Sequence, residues 1–468
     1  MASTLGELRA SGHQFRTVKE EIRQNLLDRM RSGQERFPGI IGFDATVLPH
    51  VERALLAGHD VVLLGERGQG KTRLIRTIGG LLDEWTPAVA GCEINDHPYA
   101  PACARCRRLA AERGDDLEII WRHRNDRYGE KLATPDTSVG DLIGDVDPVK
   151  VAAGRTLGDP ETVHFGLVPR TNRGVFCLNE LPDLAERIQV ALLNVLEERD
   201  IQVRGYALRL PLDILLVASA NPEDYTNRGR IITPLKDRFG AEIRTHYPLT
   251  LEDELALVRQ EARLPAAGSA SRDTGGPLPS HLVEVIARFT RLVRASSAID
   301  SRSGVSARFA IAAAESATAS AVRRAALADE DQPVARVCDL PTIVDTLRGK
   351  VEFEVSEEGR EQEVLMHLLR RSIADTFRSA LGSADLSGLL AKFDRGGSVE
   401  SGELVPAHEL LRRAGDVPGL ARIMARLGMD GSESPGHAAA ALEFTLEGLY
   451  LMRRLSKDSA DGAAIYRT

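Results

Sequence analysis

Apolar residues along the chain follow two patterns, and the pattern changes near residue 251. Before that point, short apolar runs bounded by glycine and polar residues alternate with amphipathic stretches. The apolar runs have the length of buried strands and cover residues 60–65, 118–121, 174–178 and 213–218. Between the last two runs, apolar residues recur at helical spacing at Ile188, Ala191, Leu192 and Val195. Short strands that alternate with helices predict an α/β domain with a mostly parallel sheet.

From residue 251 onward, strand signals nearly vanish and helical stripes replace them. A segment rich in Ala, Gly, Ser and Pro at 265–279 predicts a flexible linker. Helices are predicted near 280–295 and 305–328, and a further helical region begins at 340. We therefore predict four parts: an N-terminal helical segment at 1–35, an α/β domain at 36–250 with a cysteine-containing insert at 88–112, an α-helical lid at 251–330 and a C-terminal helical region at 331–468.

Composition and charge narrow the class of protein. The chain has 468 residues, which is too long for one compact core. Asp and Glu outnumber Lys and Arg by 68 to 60, so composition does not favour nucleic acid as a partner. No apolar run reaches the roughly 18–20 residues of a membrane span, and the first residues lack the apolar core of a signal peptide. We expect a soluble, cytoplasmic protein without a membrane partner.

The strongest chemical signal is the segment Gly65-Glu-Arg-Gly-Gln-Gly-Lys-Thr72, which satisfies G-x-x-x-x-G-K-[ST] between a predicted strand and a predicted helix. In such a loop, the glycines Gly65, Gly68 and Gly70 allow backbone N–H groups to surround phosphates. Lys71 is then expected to reach the β- and γ-phosphates, and Thr72 to ligate Mg²⁺. The loop predicts ATP and Mg²⁺ as cofactors.

Two later strand ends supply polar residues for the same site. One apolar run ends in Asn179-Glu180, where most ATPases of this kind have Asp-Glu. Glu180 is the candidate base that activates water. Asn179 can accept a hydrogen bond from a magnesium-bound water but brings no charge, so a slow ATPase and a protein that binds ATP without hydrolysis both stay open. Asn221 ends the next run and is predicted to lie beside the γ-phosphate.

Two arginines are candidates for contacts with the nucleotide. In ring ATPases the nucleotide lies at a subunit boundary, and the neighbouring subunit supplies an arginine that neutralises developing charge. Arg238, in Leu235-Lys-Asp-Arg-Phe, is the candidate for that role. Arg308, at the start of a predicted lid helix, is the candidate for a contact with the γ-phosphate of its own subunit.

Three of the five cysteines lie close to a histidine, in the order Cys92, His97, Cys103 and Cys106. The C-x-x-C pair has the spacing of half a tetrahedral zinc site, and Cys92 with His97 would complete it. A structural Zn²⁺ would hold the insert together without a large core. Free reduced cysteines and a redox role are the alternatives.

Taken in this order, the motifs resemble the AAA+ module of the magnesium-chelatase ATPase subunit and the related MoxR proteins. The fold class is therefore expected to be α/β, with an AAA+ P-loop core and parallel sheet followed by an α-helical lid and a C-terminal helical region. Residues 37–42 resemble the entry segment that packs on adenine, with Ile40 and Ile41 as the contacts. Residues 198–211 resemble the β-hairpin insertion of this branch, and a plain surface hairpin is the alternative.

The resemblance covers about residues 36–330 and implies a ring, with a hexamer expected, that remodels or activates a partner protein. In this family an integrin-like metal-binding domain usually belongs to a separate partner, so such a partner is implied. The string D-x-S-x-S at 430–434 follows a helical stretch and is interpreted as a loop. Metal insertion into a tetrapyrrole and chaperone-like activation both stay open. A DNA-acting motor and a non-hydrolysing nucleotide-gated scaffold are the alternative functions.

Overall fold

The computed structural model of the chain describes residues 1–147, 149, 152, 162–197, 201–203, 206–208, 210–222, 230–264, 276–300, 304–429, 434–460 and 463–467. Contacts divide the chain into two compact units, Met1–His246 and Tyr247–Thr468. No helix within the described ranges is both long enough and apolar enough to cross a bilayer. The predicted linker at 265–279 and the loop at 430–434 lie largely outside these ranges, and the four-part division stays a prediction.

The first unit alternates strands and helices. Its strands are β1 Val61–Leu64, β2 Trp85–Val89, β3 Ile119–His123, β4 Tyr128–Leu132, β5 Gly144–Val146, β6 Val163–Phe165, β7 Gly174–Asn179, β8 Ile201–Val203, β9 Tyr206–Leu208, β10 Ile214–Ala220 and β11 Ala241–Arg244. Its helices are α1 Leu5–Ala10, α2 Val18–Ser32, α3 Val47–Leu56, α4 Lys71–Gly79, α5 Ala104–Arg113, α6 Val139–Leu142, α7 Leu167–Arg170, α8 Glu186–Glu197 and α9 Thr233–Arg238.

Five of these strands form the central sheet, in the order β11-β1-β10-β7-β4. All four neighbouring pairs are parallel. Leu64 lies beside Ala220, and Leu132 lies beside Asn179, so the carboxyl ends of four strands meet at one edge. The predicted α/β fold with a parallel P-loop core is confirmed, and this edge is where α/β sheets bind ligands.

Alternate residues of the sheet pack into two separate apolar layers because successive side chains of a strand point to opposite faces. Val61, Val175 and Val217 belong to the layer under α2, α3 and α4. Val62 and Phe176 belong to the layer on the opposite face, which also takes in apolar residues of α8. The sheet is therefore covered on both faces, which explains why its central strands are continuous apolar runs.

The run at 118–121 is a strand, as predicted, but it does not belong to the central sheet. It forms β3 and pairs antiparallel with β2 in a separate two-stranded sheet. The edge strands β4 and β11 occupy the sheet instead, and the hydrophobic pattern does not identify them. Most of their side chains are partly or fully exposed, so their sequences are polar.

The N-terminal helices pack against the same unit. Thr17 caps α2 in a capping box with Glu20. Glu21 in α2 makes a two-pronged ion pair with Arg127, both contacts measuring 2.8 Å and both side chains being at most 2% exposed. Ser3 and Leu5 exchange backbone hydrogen bonds with the residues at the start of β3.

The second unit is mainly helical, which confirms the predicted helical region. Its helices are α10 Leu251–Glu261, α11 Ser280–Arg294, α12 Ala307–Ala328, α13 Pro341–Leu347, α14 Glu361–Leu381, α15 Ser387–Asp394, α16 Ala407–Ala414, α17 Leu420–Arg426 and α18 Pro435–Leu451. It also contains an antiparallel sheet that the sequence did not predict, in the order β12-β14-β13, formed by β12 Val399–Gly402, β13 Ser456–Ala460 and β14 Ala463–Arg467.

Candidate functional site

The glycine-rich loop connects β1 to α4 at the carboxyl edge of the sheet. Gly70 has a φ of 77°, in the left-handed region that favours glycine. A Cβ at Gly65 would lie 1.9 Å from Thr245 Oγ1 and 2.2 Å from Gln69 Oε1, so a larger residue does not fit. The loop thus brings the N–H groups of the first turn of α4 to the sheet edge, which is the geometry of a phosphate site.

Lys71 is buried and points back into the loop. Its ammonium group donates hydrogen bonds to the carbonyl oxygens of Gly65 and Glu66, the latter at 2.9 Å, and to Asn221 Oδ1 at 2.8 Å. These oxygen acceptors hold the cation in place at the loop. Phosphate oxygens can replace them without leaving the charge unpaired.

Asn221 joins Lys71 to the predicted base. Its Nδ2 donates to Glu180 Oε2 at 2.7 Å, while its Oδ1 accepts from Lys71. Glu180 has φ 55° and ψ 48°, a left-handed conformation that costs of order 1–3 kcal/mol outside glycine. Its N–H donates to Ser219 Oγ at 3.3 Å. This strained turn directs the Glu180 carboxylate toward the loop lysine and its amide partner.

Asn179 lies between Thr72 and Glu130, and the sequence did not identify Glu130 as part of the site. Thr72 Oγ1 donates a long hydrogen bond of 3.4 Å to Asn179 Oδ1, and Ser219 Oγ donates to the same oxygen at 3.2 Å. Asn179 Nδ2 donates to Glu130 Oε1 at 2.8 Å. The carboxylate can only accept, so it fixes the amide with Oδ1 facing Thr72.

Glu130 projects from β4 and accepts hydrogen bonds from two further side chains, Arg76 and Tyr128. Arg76 donates to it through Nε at 3.0 Å and Nη2 at 3.2 Å, and Tyr128 donates its hydroxyl at 3.1 Å. Partial burial alone raises the pKa of Glu130, but the contacts with Arg76, Tyr128 and Asn179 outweigh burial and lower that pKa below its ordinary value. Thr72 and Arg76 are one helical turn apart on α4, so both face this row of polar groups.

The structure thus brings together Lys71, Thr72, Asn179, Glu180 and Asn221, five of the residues predicted for the nucleotide site. A cavity of about 370 Å³ lies beside the loop, lined in part by Glu66, Gln69 and Thr245. This volume is within the usual range for small-molecule sites.

Four further residues were predicted to contact the nucleotide, and the structure describes the surroundings of each. Ile40 and Ile41 are half-buried, and Ile40 packs against the apolar layer of α2, α3 and α4. Arg238 ends α9, with its guanidinium 3.4 Å from Asp237. Arg308 belongs to the second unit, in the first turn of α12, and its N–H donates to Ser306 Oγ at 3.1 Å. The predicted roles of these four residues stay predictions.

The cysteine cluster forms, with one change in its members. One ligand atom from each of Cys92, Asp96, Cys103 and Cys106 lies within 4.8 Å of the other three. Asp96 takes the place that the sequence suggested for His97. The His97 ring turns the other way, because its Nδ1 accepts the N–H of Tyr99 at 3.0 Å and its Nε2 lies 3.4 Å from His13. Asp96 and His97 are adjacent in the sequence, and both can ligate a metal. Only the geometry of the turn shows which of the two faces the cysteines.

Comparison with known proteins agrees with the geometry of the loop and strand ends. A family model described as the Sigma-54 interaction domain matches residues 156–238. The chain is 31% identical over 214 residues to the magnesium-chelatase 38 kDa subunit of Acidiphilium rubrum, covering 43% of this chain and 55% of that protein. It is 26% identical over 217 residues to the magnesium-chelatase subunit ChlI-2, chloroplastic, of Arabidopsis thaliana, covering 46% and 49%.

A solved structure, a model of the complex between subunits BchI and BchD of magnesium chelatase, shares 19% identity with this chain. It covers 70% of this chain and 99% of its own, and the TM-score of 0.34 is too low to carry an argument. The chain spans about half the length of the curated relatives it matches. The sequence matches confirm the predicted resemblance to the magnesium-chelatase ATPase subunit, whereas the MoxR likeness stays a prediction.

Proposed function

We propose that this chain, an AAA+ ATPase of the magnesium-chelatase type, binds MgATP at the loop 65–72 and hydrolyses it with Glu180 as the base. The observation that supports this proposal is the continuous set of hydrogen bonds from Lys71 through Asn221 to Glu180. A phosphate-binding cation and a candidate base therefore share one amide at the carboxyl edge of a parallel sheet. Such an arrangement couples nucleotide binding to the position of the base.

Each residue then has a separate task. Lys71 exchanges the loop carbonyls and Asn221 Oδ1 for phosphate oxygens when nucleotide binds. Asn221 positions the γ-phosphate, and Glu180 accepts a proton from the attacking water. Thr72 would hold Mg²⁺, and the bound ion would neutralise charge at the phosphates.

Glu130 supports Asn179, which lacks the charge of the usual aspartate. By accepting from Asn179 Nδ2, Glu130 keeps Asn179 Oδ1 facing Thr72, the residue that would hold Mg²⁺. The negative charge of Glu130 lies on the neighbouring strand, and Asn179 joins it to Thr72. Two residues therefore share the task that one aspartate has in most ATPases of this kind. Asn179 supplies the oriented oxygen, and Glu130 supplies the negative charge.

The proposal also includes a ring of subunits and four further residues that contact the nucleotide. Arg238 acts on the nucleotide of the adjacent subunit, Arg308 contacts the γ-phosphate in its own subunit, and Ile40 with Ile41 packs on adenine. Residues 251–330 form the lid and 331–468 a C-terminal helical region. The expected assembly is a hexamer.

Steady-state ATP turnover by the wild-type chain, Glu180→Gln and Arg238→Ala tests this proposal, with binding of a fluorescent ATP analogue measured in parallel. We expect both variants to bind nucleotide and to lose turnover by at least about 100-fold, the range for removing a key electrostatic group. Light scattering with and without ATP follows assembly. Wild-type turnover equal to that of Glu180→Gln would contradict hydrolysis.

That contrary result would favour a second function, a scaffold whose shape responds to nucleotide without hydrolysis. The specific observation for it is Asn179, which leaves the magnesium side of the site without a directly placed carboxylate. The scaffold predicts ATP-dependent assembly in the scattering experiment at zero turnover. The motor predicts assembly together with turnover.

We also propose that the ring acts on a separate protein that carries an integrin-like metal-binding domain. The supporting observation is that the matched relatives are named as subunits of magnesium chelatase, and a subunit works with others. Activation of that partner, whether for metal insertion into a tetrapyrrole or for another task, is the expected work. Co-purification with purified candidate partners, with ATP and with Glu180→Gln to hold the bound state, tests this step.

A further inference from the structure

The segment between β2 and β3 brings four metal-ligating side chains together from three separate positions. Cys92 lies in the turn after β2, and Asp96 returns to that strand, with its carbonyl oxygen accepting the N–H of Val89 at 2.9 Å. Cys103 caps the N-terminus of α5, and Cys106 lies in its first turn. The turn that follows β2 and the start of α5 therefore bring these four side chains together.

The cluster is buried, with Cys92, Asp96, Cys103 and Cys106 between 0% and 9% exposed. Asp96 Oδ2 accepts the N–H of Cys103 at 2.9 Å. Within the part of the chain that the structure describes, Asp96 Oδ1 is buried and has no hydrogen-bond partner. A buried carboxylate oxygen without a donor is costly, so its position beside three sulfur atoms calls for a cation.

Backbone N–H groups already face the sulfur atoms. The N–H of Asp96 donates to Cys92 Sγ at 3.4 Å, and the N–H of Cys106 donates to Cys103 Sγ at 3.3 Å. Hydrogen bonds of this kind stabilise thiolates and orient them around a metal.

We propose that Cys92, Asp96, Cys103 and Cys106 bind one structural Zn²⁺. Tetrahedral Zn²⁺ with Zn–S bonds of about 2.3 Å places sulfur ligands roughly 3.8 Å apart, which fits ligand atoms all within 4.8 Å of one another. A 4Fe–4S cluster separates its thiolates further, since each ligand binds a different iron. Three thiolates select Zn²⁺ over Mg²⁺ or Ca²⁺. Four protein ligands close the site, which makes it structural rather than catalytic.

The metal has a physical task in this segment, because helix α5 has a small apolar face. In α5, Cys106 is buried, Leu109 and Ala110 are partly buried against the apolar layer that includes α8, and four of the ten residues are Arg. A helix with so small an apolar face needs another source of stability, and metal binding supplies folding free energy directly. Zn²⁺ would anchor α5 to the end of β2.

Elemental analysis of the full-length chain, purified without metal-affinity steps or added zinc, tests the proposal. We expect one zinc per chain, and we expect Cys103→Ser to lose it while the matched variant Cys177→Ser retains it. Cys177 is the control because it is equally buried but lies in the central strand β7, outside the cluster. Replacement by Co²⁺ should give the intense visible bands of tetrahedral cobalt bound to thiolates.

The fourth ligand is tested by Asp96→Asn and His97→Asn. The geometry predicts that Asp96→Asn weakens zinc retention against a chelator at least tenfold and that His97→Asn does not. The reverse order would overturn the ligand set. If the cluster variants do not fold, thiol titration of the native wild-type chain tests the site instead. We expect three thiols to become reactive only after a chelator has removed the metal. Absence of zinc in the purified chain, with no uptake of Zn²⁺ or Co²⁺ and three freely reactive thiols, would overturn the site itself.

Discussion

Replacing Asn179 by the usual aspartate should impair this protein rather than improve it. In the structure, Asn179 Nδ2 donates to Glu130 Oε1 at 2.8 Å. An Asp at position 179 has no N–H to donate, so Asn179→Asp sets two carboxylate oxygens against each other at that distance. One of them must then take up a proton or turn away, and either change disturbs the contact with Thr72.

The size of this effect follows from the distance and the burial. Two unit charges about 3 Å apart repel by roughly 1 kcal/mol in water and roughly 5 kcal/mol at an effective dielectric constant of 20. Asn179 is 7% exposed, so the upper half of that range applies. The upper half is roughly 3–5 kcal/mol, and about 1.4 kcal/mol corresponds to a factor of ten, so we expect Asn179→Asp to lower ATP turnover by roughly 100- to 5,000-fold.

A second substitution should rescue the first. In the double variant Asn179→Asp/Glu130→Gln, the glutamine can donate to the new aspartate, so the hydrogen bond returns with its direction reversed. We expect turnover at saturating magnesium to recover to at least the wild-type rate. Glu130→Gln alone should lower turnover, because it removes the charge and, with both a donor and an acceptor at position 130, no longer fixes the orientation of the Asn179 amide.

Steady-state ATP hydrolysis across the four variants measures the coupling between the two positions, as in a double-mutant cycle. Asn125→Asp is the matched control, because it makes the same chemical change at an exposed residue outside the site. Thermal unfolding of each variant separates loss of fold from loss of chemistry. Faster turnover by Asn179→Asp alone, with unchanged unfolding, would refute the reasoning.

Three further outcomes are expected. Lys71→Met should weaken binding of a fluorescent ATP analogue at least about 100-fold with the fold retained, as measured by titration and circular dichroism. Glu21→Gln should leave Arg127 buried without its counter-charge and lower the free energy of unfolding by about 3–5 kcal/mol in urea titrations, whereas no change would show the pair to be neutral. Because the pKa of Glu130 is lowered from 4.5, its carboxylate stabilises the folded state above pH 4.5. The difference in free energy of unfolding between wild type and Glu130→Gln should therefore shrink as the pH falls below 4.5. A difference that stays constant with pH would contradict this linkage.

The central sheet could be predicted because its inner strands are buried on both faces. Burial of this kind produces continuous apolar runs, and β1, β7 and β10 all show them. The loop 65–72 and the strand ends Asn179 and Asn221 followed from those runs. The parallel pairing then required these polar residues to meet at one edge.

Glu130 could not be predicted, because β4 is an edge strand. Its sequence Tyr-Gly-Glu-Lys-Leu is polar, and most of its side chains are partly exposed. A polar edge strand has no hydrophobic periodicity to reveal it, so the strand that neighbours Asn179 stayed unknown. The sequence suggested His97 where the structure places Asp96 in the cluster, and the reason for this difference is another one. Adjacent residues in a turn face different ways, and sequence spacing alone does not define that direction.

The position of Glu130 also depends on residues far from the motif set. Arg127 immediately precedes β4, and its guanidinium is held by Glu21 on α2 and by the carbonyl oxygen of Arg173 at 2.7 Å. This buried contact fixes the start of the strand that carries Glu130 to Asn179. The nucleotide site therefore rests on the N-terminal helix α2 as well as on the loop and strand ends, and the resemblance that begins near residue 36 does not include that support.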